Sequence, residues 1–273
     1  TMDPFSAEAA ITDSTRAVMP VNMCGSMTQM NEIKAICYKY NLRLLEDACQ
    51  ASSASNYGKK AGTIGDAGVF SFDFVKIITC GEGGAVITNN EEIYQRCAQF
   101  SDHGHEHLEA DRGADQHPYV GYNFRISELH AAVGLAQLRK LDSFQQLQQH
   151  NHSIIKNALE QVVGLTFRKL PDPDGHIGSF LSFFLPTEDM AMEAMEQLKN
   201  AGIGGNYYWY NNNWHYVRRW QHLQNGSWMH RLHDDQKMKV MLNANQAFAA
   251  SDAIMGRCIS SAISLAWTEE QAI

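Results

Sequence analysis

Three segments within the first fifty residues confine what this chain can fold into. Ala17-Val18-Met19-Pro20-Val21 is short, apolar and β-compatible. Thr28 stands where it caps a helix whose apolar positions Met30, Ile33, Cys37 and Tyr40 recur at spacings of three and four. Leu42, Leu44 and Leu45 follow as a second strand that ends on the acidic pair Glu46-Asp47. Strand, helix and strand in so short a span make a βαβ unit, which requires parallel strands and a right-handed crossover.

The alternation continues. Ala67–Phe72 and Ala85–Thr88 read as further strands, and Asn89 or Asn90 caps a helix through Ile93, Tyr94 and Cys97. Between about 101 and 122 the chain turns polar and rich in His, Gly and Asp, the composition of a long functional loop. From Ser127 to about Val162 the pattern is helical, with Leu129, Val133, Ala136 and Leu141 expected to face inward. A turn cluster follows at Pro171-Asp172-Pro173-Asp174-Gly175. Beyond it come a strand at Phe180–Leu185, an acid-started helix at Thr187–Ala201 ended by Gly202, and a strand around Tyr207–Tyr210. The fold class expected is α/β: a mostly parallel sheet with flanking helices, plus a smaller C-terminal α+β domain. The boundary is placed near 145, giving domains at 1–145 and 146–273.

Composition excludes several functions. The 22 Lys and Arg are scattered among 30 acids, for a net charge of −8, so no basic footprint for nucleic acid is present. No run of 18 apolar residues exists and the first residues have neither a basic nor an apolar leader, so no membrane span or secretion signal is expected. The 6 cysteines form no CxxC pair and read as reduced thiols of a cytoplasmic protein, with no structural zinc.

Asp47 falls where a buried parallel strand ends, and ligands of open α/β sheets bind outside those carboxyl ends. A helix-capping or salt-bridged aspartate is the other reading. Lys76 follows an apolar strand, among Phe74, Val75, Ile77 and Ile78, just before Gly81-Glu82-Gly83-Gly84. Partial desolvation there favours the neutral, nucleophilic amine. A lysine snorkelling from a strand end is the alternative. The glycines fit neither GxGxxG nor GxxxxGKS spacing, so dinucleotide and P-loop readings fail, and a hairpin turn remains open. His103, His105 and His107 invite a metal reading, but Gly104 interrupts any helix and no HExxH occurs, so no metal is expected. The run Tyr207-Tyr208-Trp209-Tyr210 with Trp214, His215 and Tyr216 reads either as core packing or as a platform for a sugar ring.

Together, Glu46-Asp47-Ala48-Cys49-Gln50, Gly65-Asp66, Ser71-Phe72, Lys76 and Gly81-Glu82-Gly83-Gly84 resemble the DegT/DnrJ/EryC1/StrS family of sugar aminotransferases. His103-Gly104, Gly121-Tyr122-Asn123-Phe124-Arg125 and Gln137-Leu138 extend the likeness over nearly the whole chain. The resemblance implies a fold-type-I, pyridoxal-phosphate-dependent transaminase with Lys76 as the Schiff-base lysine and proton shuttle. It implies that Asp47 pairs with the pyridinium nitrogen, Gln50 contacts the phenolic oxygen, and Ser71 donates to the phosphate. It further implies that Asn123 completes the phosphate site of a neighbouring subunit, making a homodimer with shared sites. His103, Arg125 and Trp209 are the candidates for substrate contact. Family members carry further residues ahead of this point, with a Gly-Thr-type phosphate turn and a ring-stacking aromatic not identifiable here, so a fragment is expected. The loop His103–Pro118 is longer than the family pattern.

The activity implied is transfer of an amino group, with glutamate as donor, to a keto- or aldehydo-sugar. The loop Asp102-His103-Gly104-His105 and the Trp-Tyr-rich segment look most like the branch that aminates an eight-carbon 3-deoxy-octulosonate for lipopolysaccharide. A nucleotide-linked 4-keto-6-deoxyhexose is the competing acceptor. A non-catalytic fragment is the third reading, and a sugar 3-dehydratase, which carries histidine in place of the lysine, is opposed by Lys76.

Overall fold

In a computed structural model of the protein, residues 1–108, 111–212, 214–222 and 248–272 are described. They fall into two compact units. The first comprises Thr1–His150 with Leu170–Ser179, and the second Asn151–Lys169 with Phe180–Ile273.

The first unit opens with helix α1 (Pro4–Ala9), whose N-cap Asp3 accepts from the Ser6 N–H. Strands β1 (Ala17–Val18) and β2 (Arg43–Asp47) pair in parallel across helix α2 (Met30–Lys39), the crossover that the apolar spacing requires. Met30, Ile33 and Cys37 are buried, while Tyr40 lies partly exposed at the C-cap. The helix begins at Met30, two residues beyond Thr28. That hydroxyl donates instead to the Met2 carbonyl (2.6 Å), and the cap position falls to Gln29, which makes no side-chain cap bond.

Strands β3 (Ser55–Asn56) and β4 (Lys59–Lys60) form a hairpin through Tyr57 and Gly58, both at positive φ, as a two-residue turn of matching twist demands. Strand β5 (Ala67–Ser71) runs parallel to β2, and β6 (Gly84–Ile87) returns antiparallel to β5, giving the order β1-β2-β5-β6. The last pairing is antiparallel because no helix stands between β5 and β6, only a loop. Asn90, rather than Asn89, caps helix α3 (Glu91–Ser101) by accepting from Ile93.

The expected long helical stretch divides after Leu138 into α4 (Glu128–Leu138) and α5 (Leu141–Leu159). The residues expected to face inward from α4 do not: Leu129 is 81% exposed, and Val133 and Ala136 are exposed as well. This helix is apolar on most of its circumference, so spacing alone did not single out one face. The unit's core lies elsewhere, where α2 packs with Leu44, Ala48, Ala51, Ala54, Ala61, Ile64 and Ile177.

The second unit is an antiparallel sheet of β7 (Thr166–Phe167), β8 (Phe180–Phe184), β9 (Asn206–Tyr207) and β10 (Cys258–Ala262), in the order β7-β8-β10-β9. Helix α6 (Glu188–Asn200) is capped by Thr187, which accepts from Met190, and the chain leaves it through Gly202 at φ +76°. Helices α7 (Ala249–Met255) and α8 (Glu269–Ala272) complete it. Leu181, Phe183, Ala191, Tyr208 and Ile259 form its core. Strand β9 is shorter than expected: residues 208–210 leave the ladder, and Tyr208 is held by its hydroxyl to the Gly256 carbonyl (2.7 Å). Among the described residues no helix is long and apolar enough to cross a membrane.

Close approach of backbones makes one glycine of the first unit indispensable. A Cβ on Gly68 falls inside van der Waals contact of the Gly62 backbone, whereas one on Gly204 meets nothing within 4 Å. Gly68→Ala is expected to lower unfolding free energy by about 1–3 kcal/mol, and Gly204→Ala to leave it within about 0.5 kcal/mol. Urea denaturation of the two variants checks this.

Candidate active site

The carboxyl end of β2 is held on both flanks. The Asp47 N–H donates to Pro20 O (3.1 Å), its carbonyl accepts from Asn22 N (2.9 Å), and Ala48 N donates to Val69 O on β5 (2.9 Å). With the backbone bound, the side chains divide by face. Glu46 is fully buried and its carboxylate accepts from three backbone N–H groups, those of Gly62 (2.9 Å), Ile64 (2.6 Å) and Gly65 (2.7 Å). Asp47 turns to the other face, half-buried, and its Oδ1 accepts from Cys49 N (3.0 Å). This small turn fixes the orientation of the Asp47 carboxylate. Gln50 is anchored twice: its carbonyl accepts from Gly25 N (3.0 Å) and its Oε1 accepts from Cys24 N (3.0 Å). Cys24 adopts φ 55°, ψ 43°, a left-handed conformation rare for a side-chain-bearing residue, and so aims its N–H at that amide.

Lys76 sits in the loop between β5 and β6, a few residues past the strand end. The loop is closed by Phe72 N to Gly83 O (2.8 Å) and Cys80 N to Phe72 O (3.0 Å). Within it, Ser71 Oγ accepts from Asp73 N (3.4 Å), Asp73 Oδ1 accepts from Val75 N (3.0 Å), and Lys76 N donates to Asp73 O (3.0 Å). The Lys76 side chain is 17% exposed, with Nζ 4.0 Å from Asp73 Oδ2. The apolar neighbours expected to desolvate it divide. Phe74 and Val75 face solvent, Ile77 is half-buried and Ile78 is buried. The glycines of residues 81–84 serve as the hairpin turn, with Gly81 at φ +89°.

Asp47 and Lys76 meet electrostatically at Cys49. Burial pushes the Cys49 thiol up to about 12, hydrogen bonding to Asp47 and its charge add to this, and the Lys76 ammonium opposes it. The thiol is therefore protonated between a carboxylate and a primary amine. An amine, a carboxylate and the half-buried Ser71 hydroxyl, at or just past the carboxyl ends of adjacent parallel strands, are of the types that could hold an aldehyde, a ring nitrogen and a phosphate oxygen.

A second group of candidates gathers on residues 101–125. Asp102 and Asn123 form an antiparallel bridge, flanked by His103 N to Tyr122 O and Phe124 N to Ser101 O (both 2.9 Å). The Asp102 carboxylate accepts from Arg125 and from Arg112 (2.6 Å), with His107 3.6 Å away. Burial pushes Asp102 up, but Arg112, Arg125 and His107 together hold it below the usual carboxylate range. Arg125 and Asn123 are thus tied to one anchor. His103 stands apart on an exposed turn at φ +56°, its carbonyl accepting from His117 Nδ1 (2.8 Å). Among the described residues, no three His, Cys, Asp or Glu side chains are placed to hold a metal ion.

Trp209 belongs to the second unit and is packed there, 5% exposed, stacked on Tyr207 (4.7 Å, 4°) beside Phe180 and His215. The exposed rings of this cluster are Trp214, at 60%, and His215. Sequence reading missed Glu46, Cys49 and Asp102 as organising residues. For Glu46 a signal existed: a strand alternation that sends one acid of Glu46-Asp47 inward, followed by glycines at 62, 65 and 68 that leave backbone accessible.

The chain is 38% identical over 141 residues to a GDP-perosamine synthase of Caulobacter vibrioides, an alignment covering 52% of this chain and 37% of that one. Its fold is shared with Helicobacter pylori PseC, an aminotransferase involved in the biosynthesis of pseudoaminic acid (TM-score 0.80, 22% identity, 99% of this chain and 67% of that one). It is also shared with an E. coli GDP-4-keto-6-deoxy-D-mannose-3-dehydratase with bound hydrated pyridoxal phosphate (TM-score 0.76, 22% identity, 99% and 69%). The chain spans 37% of the length of the curated relative and about two thirds of each solved structure. The family pattern itself matches residues 1–272, and the chain belongs to the DegT/DnrJ/EryC1/StrS aminotransferase family.

Proposed function

We propose that the protein is a pyridoxal-phosphate-dependent transaminase that moves an amino group from an amino acid, glutamate, to a keto- or aldehydo-sugar. The observation that carries this reading is Asp47 at the carboxyl end of β2, oriented by the Cys49 N–H, with the largely buried Lys76 in the loop that follows the neighbouring parallel strand β5. When bound, the cofactor supplies an electron sink for deprotonation at the carbon next to nitrogen. The Lys76 amine holds the cofactor and moves the proton. Asp47, oriented by the Cys49 N–H, faces the ring nitrogen and favours its protonated form. Gln50, its amide held by Cys24, contacts the phenolic oxygen, and the Ser71 hydroxyl donates to the phosphate. Cys49, kept neutral, adds no charge and no competing nucleophile beside Asp47.

Asn123 serves the phosphate site of a partner subunit, and Arg125 beside it adds positive charge. A homodimer is supported by the apolar surface this unit exposes: Leu129, Val133, Leu135 and Leu138 on α4, with Val86 and Ile87 on β6. Exposed apolar side chains in such number on one unit favour an association surface. His103 and Trp209 are assigned to substrate contact, and 1–145 and 146–273 to the large and small domains. The reduced cysteines, all free among the described residues, agree with a cytoplasmic enzyme.

For the acceptor we favour an eight-carbon 3-deoxy-octulosonate of lipopolysaccharide, on the strength of Asp102-His103-Gly104-His105 and the Trp-Tyr-rich segment. The second reading, a nucleotide-linked 4-keto-6-deoxyhexose, is favoured by the 38% identity to a GDP-perosamine synthase. A panel of octulosonates and nucleotide sugars, read by the mass shift of amination, decides between them.

In the full-length protein, Lys76→Ala is expected to abolish borohydride-fixed attachment of pyridoxal phosphate and to lower transamination by at least about a thousandfold. Attachment that survives in this variant overturns the assignment. Shared sites make a further expectation. Lys76→Ala and Asn123→Ala subunits, each inactive, should recover about a quarter of wild-type activity when refolded together in equal amounts, because half the dimers then carry one intact site. Activity assays across mixing ratios check this, and no recovery argues that each subunit builds its site alone.

A further inference from the structure

Glu46 lies outside every contact assigned above, yet its carboxylate is among the most completely bonded side chains of the first unit. It is fully buried. Oε1 accepts from Ile64 N (2.6 Å) and Gly65 N (2.7 Å), and Oε2 accepts from Gly62 N (2.9 Å). All three donors lie in the connection that leads directly into β5, the strand that ends at Ser71 and continues to Lys76. One side chain of β2 therefore fastens the start of the neighbouring strand.

The pairing that this clasp secures is short. Only Leu45 with Ala67, Glu46 with Gly68 and Asp47 with Val69 are in register. A slip by one residue sends every side chain of a strand to the opposite face. Such a slip carries Ser71 and the Lys76 loop away from Asp47. Leu44 N to Asp66 Oδ2 (2.8 Å) and Asp66 N to Leu44 O (2.7 Å) help to hold the register from the near side. Close approach is possible because Gly65 and Gly68 carry no Cβ: one on Gly65 would meet Leu44 O at 2.5 Å.

The chemistry of the clasp calls for a glutamate. Three N–H donors converge on two oxygens that accept only. The amide of glutamine presents an NH2 to at least one of those donors and leaves it unpaired in the interior, where an unmet polar group is costly. Aspartate keeps both acceptors but falls one methylene short.

We propose that Glu46 is a positioning residue for the cofactor site: by pinning the approach to β5 onto β2, it sets the separation of Asp47 from Lys76. It touches neither cofactor nor substrate. The inference rests on the roles given to Asp47 and Lys76 under the proposed function.

The test uses the full-length protein, loaded with pyridoxal phosphate and titrated by the visible absorbance of the bound cofactor. In Glu46→Gln, Asp47 drifts from the ring nitrogen and lends it less charge. The pH midpoint of the band is therefore expected to rise by about one unit, and the apparent Kd for pyridoxal phosphate by about tenfold. Glu46→Asp, which retains the charge, shifts both in the same direction to a smaller extent. A role confined to stability lowers the melting temperature and leaves the midpoint and Kd as in wild type, and that result in folded Glu46→Gln overturns the inference. If Glu46→Gln does not fold, Glu46→Asp decides by the same two readings. A wild-type protein without the band overturns the cofactor assignment and this inference with it. A normal wild-type band matched by the variants overturns the inference alone.

Discussion

Glu46 and Asp47 are adjacent in sequence, and the pleat of a strand sends them to opposite faces of the same sheet. Nearly everything in the first unit can be organised around that division. The inward carboxylate leaves water altogether, at a cost that only several charge-assisted hydrogen bonds offset. It finds them in the backbone of residues 62–65, which commits that stretch to lie against β2. The outward carboxylate has one oxygen engaged by the adjoining Cys49 N–H, which sets its direction. Stability and reactivity are thus handled by neighbouring acids of the same strand end.

Parallel pairing does the rest. Because β1, β2 and β5 run the same way, the loops after each of them emerge on one edge, and the segments 19–25, 48–54 and 72–83 converge there. The first of these braces the second through Asn22 and Gly25, whose N–H groups donate to Asp47 and Gln50. The third carries Lys76 on a loop cross-bonded at Phe72, where a lysine is held with little of its side chain exposed. Reversal at β6 follows from the glycines at 81, 83 and 84: Gly81 takes positive φ, and the others leave no room for a Cβ beside Cys80, Ile126 and the Phe70 carbonyl.

Much of this was legible in the sequence, for identifiable reasons. The βαβ unit could be read because Met30, Ile33 and Cys37 mark one face of a helix, and because Leu44-Leu45 is followed at once by acids. The caps at Asn90 and Thr187 could be read because each precedes paired acids and an apolar spacing. Asp47 and Lys76 were found because their spacing with Ser71 and the glycines resembles a known family. Three features were not legible. Thr28 looked like a cap, but a tertiary contact to Met2 took its hydroxyl. The face of α4 could not be chosen, since a helix apolar on most sides has no strong preferred direction. The clasp of Glu46 depends on contacts sixteen to nineteen residues away: strand alternation sends one acid inward, but local patterns do not record which backbone N–H groups will meet it.

The two groups of candidate residues differ in how they are held, and the difference follows from their surroundings. Asp47 and Gln50 are oriented by neutral backbone N–H groups close in space, so their side chains are directed with no opposing charge spent on them. Asn123 is held by a backbone bridge to residue 102, and Arg125 is oriented by the charged Asp102 carboxylate, on a segment otherwise largely exposed. Burial alone would raise Asp102, and the surrounding cations outweigh it and hold the carboxyl below its ordinary range. Its folded value lies below the unfolded one, so the anchor contributes above the ordinary carboxylate range and is lost as pH falls through the lowered value. Backbone orientation carries no such dependence. Residues at the carboxyl ends of the sheet, and Asn123 on its backbone bridge, are therefore fixed by the fold itself, whereas Arg125 is held by charge and loses that anchor as Asp102 is protonated.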